Sequence, residues 1–275
     1  MIWVQNWWRA VLPFTGGFIM AEYGVQLVNK YNLSISNAQD VNYTLRSSGV
    51  IRNSDFSVGS YTDPVSVCYM DLSSLHCPLV FFRPVNADSR ICAFPSQMAD
   101  FMPSVGERID RTMMVLKWWN KTVTDIEYFI FDIWTPPERS PFGLQMFDGS
   151  GNIIFDSGWN FLMLSSVKWL DPGYPNHQND TNGSNWTDVG HMGEGQLALA
   201  LPNPRGWAEP GGMTVGWYLM ECFHLQGNNA RISLVPRGVY FWGSGSQRWT
   251  NNMRTQLMAA DVSKMPRNYN PVRLL

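Results

Sequence analysis

The chain has 275 residues and a formal net charge of −2, with 15 % charged and 14 % aromatic residues. This length suits one large β domain or two ordinary domains, and no long basic run is present to form a nucleic-acid groove. Few charges combined with 13 Trp and 15 Met are typical of a large core or of a surface covered by other subunits, so we expect assembly into something larger.

Residues 1–20 read as an N-terminal aromatic arm. The uncharged stretch AVLPFTGGFIMA is too short for a membrane helix and contains Pro and Gly. The start is also a poor signal peptide, because its one basic residue, Arg9, follows the Trp cluster. We therefore expect no export signal and no membrane anchor. Trp3, Trp7 and Trp8 are candidate assembly contacts, although an ordinary core strand or a frayed end fits equally well.

One phrase occurs twice. YGVQLVNKYNLSIS begins at Tyr23 and FGLQMFDGSGNIIFDS begins at Phe142, 142 − 23 = 119 positions later. The second phrase predicts a β-hairpin, because its DGSGN turn supplies the residues that adopt positive φ. We predict the same hairpin at both places, with Gly24 and Gly143 marking a close backbone approach or a bulge. Chance resemblance between two amphipathic hairpins is the alternative.

Most of the remaining sequence predicts short strands. Runs such as VSVCYM, PLVFFRPV, DIEYFIFDIW, FLMLSSVKWL and MTVGWYLMECF are rich in β-branched, aromatic and aliphatic residues between turn formers. Several are apolar at nearly every position, which indicates burial on both faces or a face covered by a partner. We predict an all-β, sandwich-like fold of two packed β units, spanning residues 21–135 and 136–245.

A short helix and a tail are predicted for residues 246–275. In SQRWTNNMRTQLMAAD, Ser246 can cap a helix on which Trp249, Met253 and Leu257 recur at four-residue spacing. The following MPRNYNPVRLL contains two prolines that block regular helix. Its apolar end, Leu274 and Leu275, suggests an arm laid on another surface, and these two residues are candidate assembly contacts.

A long polar loop is predicted at residues 171–196. Loops of this length in a compact domain are usually functional or disordered. Amide and aromatic side chains on an exposed loop can bind a sugar or a protein surface. A solvated loop without a binding function is an equally good interpretation of this sequence. The candidate ligand or receptor contacts are Tyr174, His177, Asn185, Trp186 and His191.

Catalytic and metal-binding signals are weak. No nucleophile elbow, zinc-protease motif or phosphate-binding loop is present. His177 and His191 lack a dense ligand spacing, and Asp125 with Glu127 would need a sugar-binding cleft to act as a glycosidase pair. We predict no enzyme activity, no metal and no cofactor. The four cysteines, Cys68, Cys77, Cys92 and Cys222, favour buried thiols, with a Cys68–Cys77 bridge left open.

The paired phrases carry a resemblance to a known group of proteins. YGVQLVN followed by NYTLRSSGVI, and DIEYFIFDIW leading into FGLQMFDGSGNIIFDSGWNFLML, resemble virion proteins of tailed bacteriophages from the tail and tail-fibre gene region. The resemblance covers roughly residues 20 to 170. In such proteins the first phrase usually stands at the very start, whereas here an aromatic segment precedes it, and residues 171–275 have no counterpart.

This resemblance implies a non-enzymatic structural protein of the tail tip or of a fibre-bearing assembly, made in the bacterial host cytoplasm and located in the virion. Its expected partners are copies of itself and other virion proteins, with host-surface glycan or protein as a further candidate and no nucleic acid or membrane insertion. Two alternatives remain open at this point: a capsid decoration or head-to-tail protein, and a carbohydrate-binding or glycan-degrading β protein that uses Trp186 for stacking.

Overall fold

The structure is a computed structural model that describes residues 3–6, 25–28, 34–36, 42–58, 65–85, 91–95, 112–118, 125–148, 150–172, 186–211, 215–242, 248–249 and 253–275. These residues form an all-β fold, which confirms the predicted class. Within them, the one helix is a single 3₁₀ turn at Asn53–Asp55.

The strands are, in chain order, β1 (Trp3–Asn6), β2 (Val25–Val28), β3 (Ser34–Ser36), β4 (Tyr43–Ile51), β5 (Ser57–Val58), β6 (Val65–Asp71), β7 (Leu79–Pro84), β8 (Cys92–Pro95), β9 (Thr112–Trp118), β10 (Ile126–Ile133), β11 (Gln145–Phe147), β12 (Ile153–Asp156), β13 (Leu164–Leu170), β14 (Thr187–His191), β15 (Leu197–Ala200), β16 (Gly206–Gly211), β17 (Val215–Gln226), β18 (Asn229–Trp242), β19 (Arg248–Trp249) and β20 (Thr255–Asp261).

The chain forms two compact units, and both are discontinuous in sequence. The first comprises Met1–Thr44 and Ile133–Phe161, and the second comprises Leu45–Asp132 and Leu162–Leu275. This grouping differs from the predicted consecutive units at 21–135 and 136–245. The chain passes from one unit to the other three times: within β4, within β10, and between Phe161 and Leu162.

Both copies of the repeated phrase form hairpins, and both lie in the first unit. In the second copy, β11 pairs with β12 through Met146↔Phe155 and Phe147↔Ile153. In the first copy, β2 pairs with β3 through Leu27↔Ser36 and Val28↔Ser34, which are the same positions shifted by 119. Each hairpin also has its register shift at the same step. The prediction of twin hairpins is therefore confirmed to the level of register.

The structure of the second hairpin explains the residue types in its sequence. In the turn, the Asp148 carboxylate accepts hydrogen bonds from the backbone N–H groups of Ser150 (2.9 Å) and Asn152 (2.8 Å), and Gly151 adopts φ 83°. Gly143 has φ 122°, and a Cβ there would lie 2.2 Å from Ser157 Oγ. The predicted close approach at Gly143 is confirmed, because any larger residue would collide with that serine.

Asp156 holds the base of this hairpin. Its side chain is fully buried and accepts hydrogen bonds from the backbone N–H of Gly158 (2.8 Å) and Ser140 (2.9 Å) and from Gln145 Nε2 (2.8 Å). Burial alone would raise the pKa of Asp156, but these three donors outweigh it and lower the pKa below its ordinary value. The carboxylate thus ties the returning strand to the segment that enters the hairpin.

The described residues of the second unit form three antiparallel sheets. The strand orders are β13-β20-β15-β7-β10-β4, β14-β18-β17-β16-β19 and β5-β6-β9-β8. All three sheets contribute to one apolar core: Phe82 from the first, Phe223 from the second and Val115 from the third are at most 1 % exposed. Burial of this shared core is the main driving force that holds the sheets together.

The predicted C-terminal helix is wrong. Residues 255–261 form strand β20, which lies between β13 and β15 in the six-stranded sheet. Thr255, Leu257 and Ala259 are buried on alternate positions, as in a strand. The four-residue spacing of Trp249, Met253 and Leu257 is also present in the sequence, but pairing on both sides gives β20 two ladders of hydrogen bonds and overrides it.

The C-terminal tail forms backbone hydrogen bonds with strands of two sheets. Ser48 of β4 and Tyr269 exchange backbone hydrogen bonds of 2.7 and 3.1 Å. Further along, Tyr69 of β6 exchanges hydrogen bonds of 3.2 and 2.9 Å with Leu275, and Leu274 packs against the main core. The tail is thus an arm laid on a surface, as predicted, but this surface belongs to the same chain.

Cys68, Cys77 and Cys222 form no disulfide, and the side chain of Cys92 lies outside the described part of the chain. Cys68 and Cys222 are buried, whereas Cys77 is exposed, so the expectation of buried thiols fails at Cys77. No bridge joins Cys68 to Cys77. Burial raises the pKa of the Cys68 thiol to about 11, with the charge of Asp55 adding to the effect.

Candidate functional site: an apolar sheet edge

Several predicted contact residues lie outside the described residues: Trp7, Trp8, Tyr174, His177 and Asn185. Trp3 is in β1, where only the backbone is described. Residues 187–191 of the predicted loop form β14, so the loop is shorter than expected.

Trp186 and His191 lie at the described end of that loop. The Trp186 ring contacts the His224 ring at a centroid distance of 5.2 Å, and it packs against a cluster that includes Met114 and Met220. His191 is exposed, and its Nε2 lies 3.2 Å from Glu194 Oε1. In this structure Trp186 therefore has a packing role.

Of the two acidic candidates, Glu127 is held by structural contacts. Glu127 Oε2 lies 2.7 Å from Arg83 Nη1 and 3.2 Å from Arg267 Nη1, so it bridges two guanidinium groups. Within the described ranges, no three His, Cys, Asp or Glu side chains come together as a metal site requires.

The feature that the sequence analysis missed is the outer edge of the six-stranded sheet. β13 is the last strand of that sheet, so among the described residues only one side of its backbone has a partner strand. Four apolar residues at this edge are 39–52 % exposed. We call them the edge patch: Met163, Leu164, Val167 and Trp169.

A β-bulge brings three of these residues to one face. Val167 and Trp169 pair with Met258 and Gln256, whereas the register shift between Leu164 and Ser166 lets Leu164 pair with Ala260. Directly paired residues point to the same side of a sheet. Gln256, Met258 and Ala260 occupy every second position of β20, so their side chains lie on one face. The extra residue at position 165 therefore places Leu164 on the same face as Val167 and Trp169, although its spacing from them is odd.

The opposite face of β13 is fixed to the interior. Ser166 Oγ donates a 2.7 Å hydrogen bond to the backbone oxygen of Met192, and Met192 is completely buried. Leu170 is 2 % exposed and belongs to the main core. These contacts hold the strand with its apolar side chains outward.

Charged groups border one end of the edge patch. The guanidinium carbon of Arg254 lies 4.7 Å from the centroid of the Trp169 ring, and Arg254 Nε lies 3.0 Å from Asp171 Oδ1. Both charged side chains are more than half exposed, so the ion pair itself contributes little to stability. The two charged side chains form a polar border beside the Trp169 ring, like the polar rim of an interface.

A buried ion pair anchors the same end. Arg205 and Glu221 are 1 % and 0 % exposed, and Arg205 Nη2 and Nε donate to Glu221 Oε1 at 2.7 and 3.0 Å. Arg205 Nη1 donates to the backbone oxygens of Asp171 (2.8 Å) and Met253 (3.1 Å). The pair therefore ties the five-stranded sheet to the ends of β13 and β20 in the six-stranded sheet.

The environment of this pair is aromatic and dry. The Arg205 guanidinium lies 4.9 Å from the centroid of the Trp249 ring, which contacts Trp207 edge to face. Burial raises the pKa of the Glu221 carboxyl above its ordinary value, although the hydrogen bonds and charge of Arg205 oppose the rise. Because Arg205 and Glu221 are buried, no substrate can reach their charged groups. The role of the pair is to position β13.

Comparisons of the chain with protein-family models, with curated protein sequences and with solved structures give no match. No helix within the described ranges has the length and hydropathy needed to cross a membrane. Function is therefore inferred from the chain's own geometry and from the resemblance of its paired phrases.

Proposed function

We propose that this protein is a non-enzymatic structural subunit of a tailed-phage virion, located in the tail tip or a fibre-bearing assembly, and that copies or neighbouring tail proteins contact it at the edge patch. The observation that carries the proposal is the edge patch itself. The resemblance of the twin hairpins to tail-region virion proteins supports the virion location.

The physical reason is the combination of two features on one strand. A free sheet edge offers backbone N–H and C=O groups that a second chain can pair with, and soluble proteins normally protect such edges with charge, proline or a covering segment. In β13 the side chains on the outer face are instead apolar, and the exposed Lys168 pairs with Leu257 on the opposite face of the strand. An exposed apolar strip beside unpaired backbone groups favours association by strand addition.

Self-association is tested with two valine substitutions. Val167→Lys places a charge in the edge patch, and Val85→Lys places the same charge at an exposed valine outside it. We expect the wild-type protein and the Val85→Lys control to form the same oligomer by light scattering coupled to size-exclusion chromatography. We expect Val167→Lys to shift the protein toward monomer. Monomeric wild type, or an unchanged oligomer in Val167→Lys, would count against edge-patch assembly between copies.

The virion location is tested on purified particles. Antibodies against the protein should label tails in electron micrographs. Labelling of heads would select the capsid decoration or head-to-tail alternative, and the absence of the protein from particles would refute the virion proposal. A contact between residues 171–196 and the host surface remains part of the proposal, to be tested by blocking adsorption with antibodies against that loop.

A further inference from the structure

A cavity of about 250 Å³ lies where the three sheets of the second unit meet. Strand β7 of the six-stranded sheet, β9 of the four-stranded sheet and β17 of the five-stranded sheet all reach it, together with the segment that joins β6 to β7. Six of the side chains that line it are Leu72, Leu75, Val80, Phe82, Met113 and Phe223.

The lining is almost wholly apolar. Among the lining residues only Thr112 and His76 have polar side chains. Phe82 and Phe223 are each 1 % exposed, whereas His76 is exposed and Met113 is half-buried. The cavity therefore has an apolar floor, and it reaches solvent on the side of His76 and Met113. A water molecule needs two to four polar partners to be stable in such a space, and this floor does not provide them.

One wall is fixed by a buried carboxylate. Asp132 is 2 % exposed and accepts hydrogen bonds from the backbone N–H groups of His76 (2.8 Å) and Cys77 (2.6 Å). Leu75 N–H also donates to the backbone oxygen of Leu72 at 3.0 Å. Because these bonds hold the segment between β6 and β7, the cavity is a preformed space, which reduces the ordering cost of binding.

We propose that this cavity binds a small organic molecule with an apolar body of one or two fused rings, oriented with any polar end toward His76. An apolar cavity of about 150 Å³ is enough to hold benzene, so the larger volume here suits a bicyclic ring. Ligand sites generally combine such an apolar lining with a few polar groups at one end. This site is independent of the edge patch and of the assembly role.

Indole serves as the probe, measured by isothermal titration calorimetry on the full chain. Val80→Phe and Met113→Trp add bulk to the lining from two different sheets, and Val85→Phe makes the same valine substitution outside both the cavity and the edge patch. We expect indole to bind wild type and Val85→Phe equally. We expect at least tenfold weaker binding in Val80→Phe and Met113→Trp, each checked for native circular dichroism.

A crystal of the wild-type protein pressurised with xenon gives a readout that needs no variant. Xenon density against Phe82 and Phe223 is the expected result. The proposal fails if wild type binds no indole, if both filled variants bind it as tightly as wild type, or if xenon is absent from the cavity.

Discussion

The buried pair Arg205–Glu221 allows a quantitative test of how the edge of the six-stranded sheet is held. Glu221→Gln keeps an oxygen that can accept the backbone N–H of residue 205, which donates to Glu221 Oε2 at 2.6 Å, but it removes the charge. The buried Arg205 guanidinium then loses the carboxylate that it pairs with, and this change should cost about 3–5 kcal/mol of unfolding free energy. Arg205→Met leaves the opposite charge buried and should cost a similar amount at pH 7.

The double variant should lose less unfolding free energy than the sum of the two single-variant losses. Arg205→Met with Glu221→Gln leaves no buried charge, and the remaining cost comes from the two hydrogen bonds that Arg205 Nη1 donates to Asp171 and Met253. At about 0.5–1.5 kcal/mol each, these bonds amount to roughly 1–3 kcal/mol. The sum of the two single losses therefore exceeds the double loss, and we expect a coupling energy of at least about 3 kcal/mol.

The assay is urea unfolding followed by tryptophan fluorescence and circular dichroism, with all variants compared at constant m-value. The exposed pair Arg254–Asp171 is the matched control: the same cycle with Arg254→Met and Asp171→Asn should give a coupling below about 1 kcal/mol. Additive losses at Arg205 and Glu221 would refute the idea that charge pairing holds this junction.

The pH dependence of Arg205→Met is a second check on the same pair. Without the Arg205 side chain, its hydrogen bonds and charge no longer oppose the rise that burial causes in the Glu221 pKa, while the hydrogen bond from the backbone N–H of residue 205 remains. A carboxyl whose pKa is raised on folding favours the folded state most below its unfolded pKa, about 4.3, and that contribution is lost as the pH rises through the folded pKa. The destabilisation by Arg205→Met should therefore be smaller at pH 4 than at pH 7. A larger deficit in acid would contradict this assignment.

Two further predictions concern single side chains. Asp156 has a lowered pKa, so it stabilises the hairpin above the ordinary carboxyl pKa of about 4, and this stability should disappear as the pH falls through the lower folded pKa. Acid titration of wild type against Asp156→Asn measures it, and curves of the same shape would contradict the reasoning. Cys77 is exposed, while Cys68 is buried with a pKa of about 11. A thiol reagent at pH 8 should therefore modify Cys77 and leave Cys68 unmodified, as measured by peptide mass spectrometry. Equal labelling of the two would show that the core around Cys68 opens.

Local chemistry explains which parts of the fold the sequence could predict. The hairpin at residues 145–156 depends on Asp148 and Gly151, which act within the turn, and on Gly143, which lies against Ser157 at the base of the same hairpin. Its first copy follows the same pattern at β2 and β3 and was found by comparison of the two phrases. The all-β class follows for the same reason, since β-branched and aromatic runs favour strands before any long-range contact is known.

Long-range pairing explains the failures. The sequence of β20 fits a helix and a strand equally well, and the neighbours β13 and β15, which decide between them, lie far away in the chain. The edge patch was hidden because its common face depends on the bulge at position 165, and a strict alternation would have separated Leu164 from Val167. The pairing of the tail with β4 and β6 of its own chain was also hidden, because sequence alone does not reveal whose sheet an arm joins; the assembly contact of Leu274 and Leu275 stays a prediction.

The tail has a consequence for synthesis of the protein. The hydrogen bond from Tyr269 to Ser48 Oγ spans 221 positions, and the bond from Ser48 Oγ to the backbone oxygen of Pro266 spans 218. Strands β4 and β6 thus emerge from the ribosome long before the segment that closes them. During that interval the backbone groups that later pair with the tail are exposed, and other nascent chains on the same messenger RNA can associate with them. A chaperone, or rapid burial of the other strands, has to prevent this association.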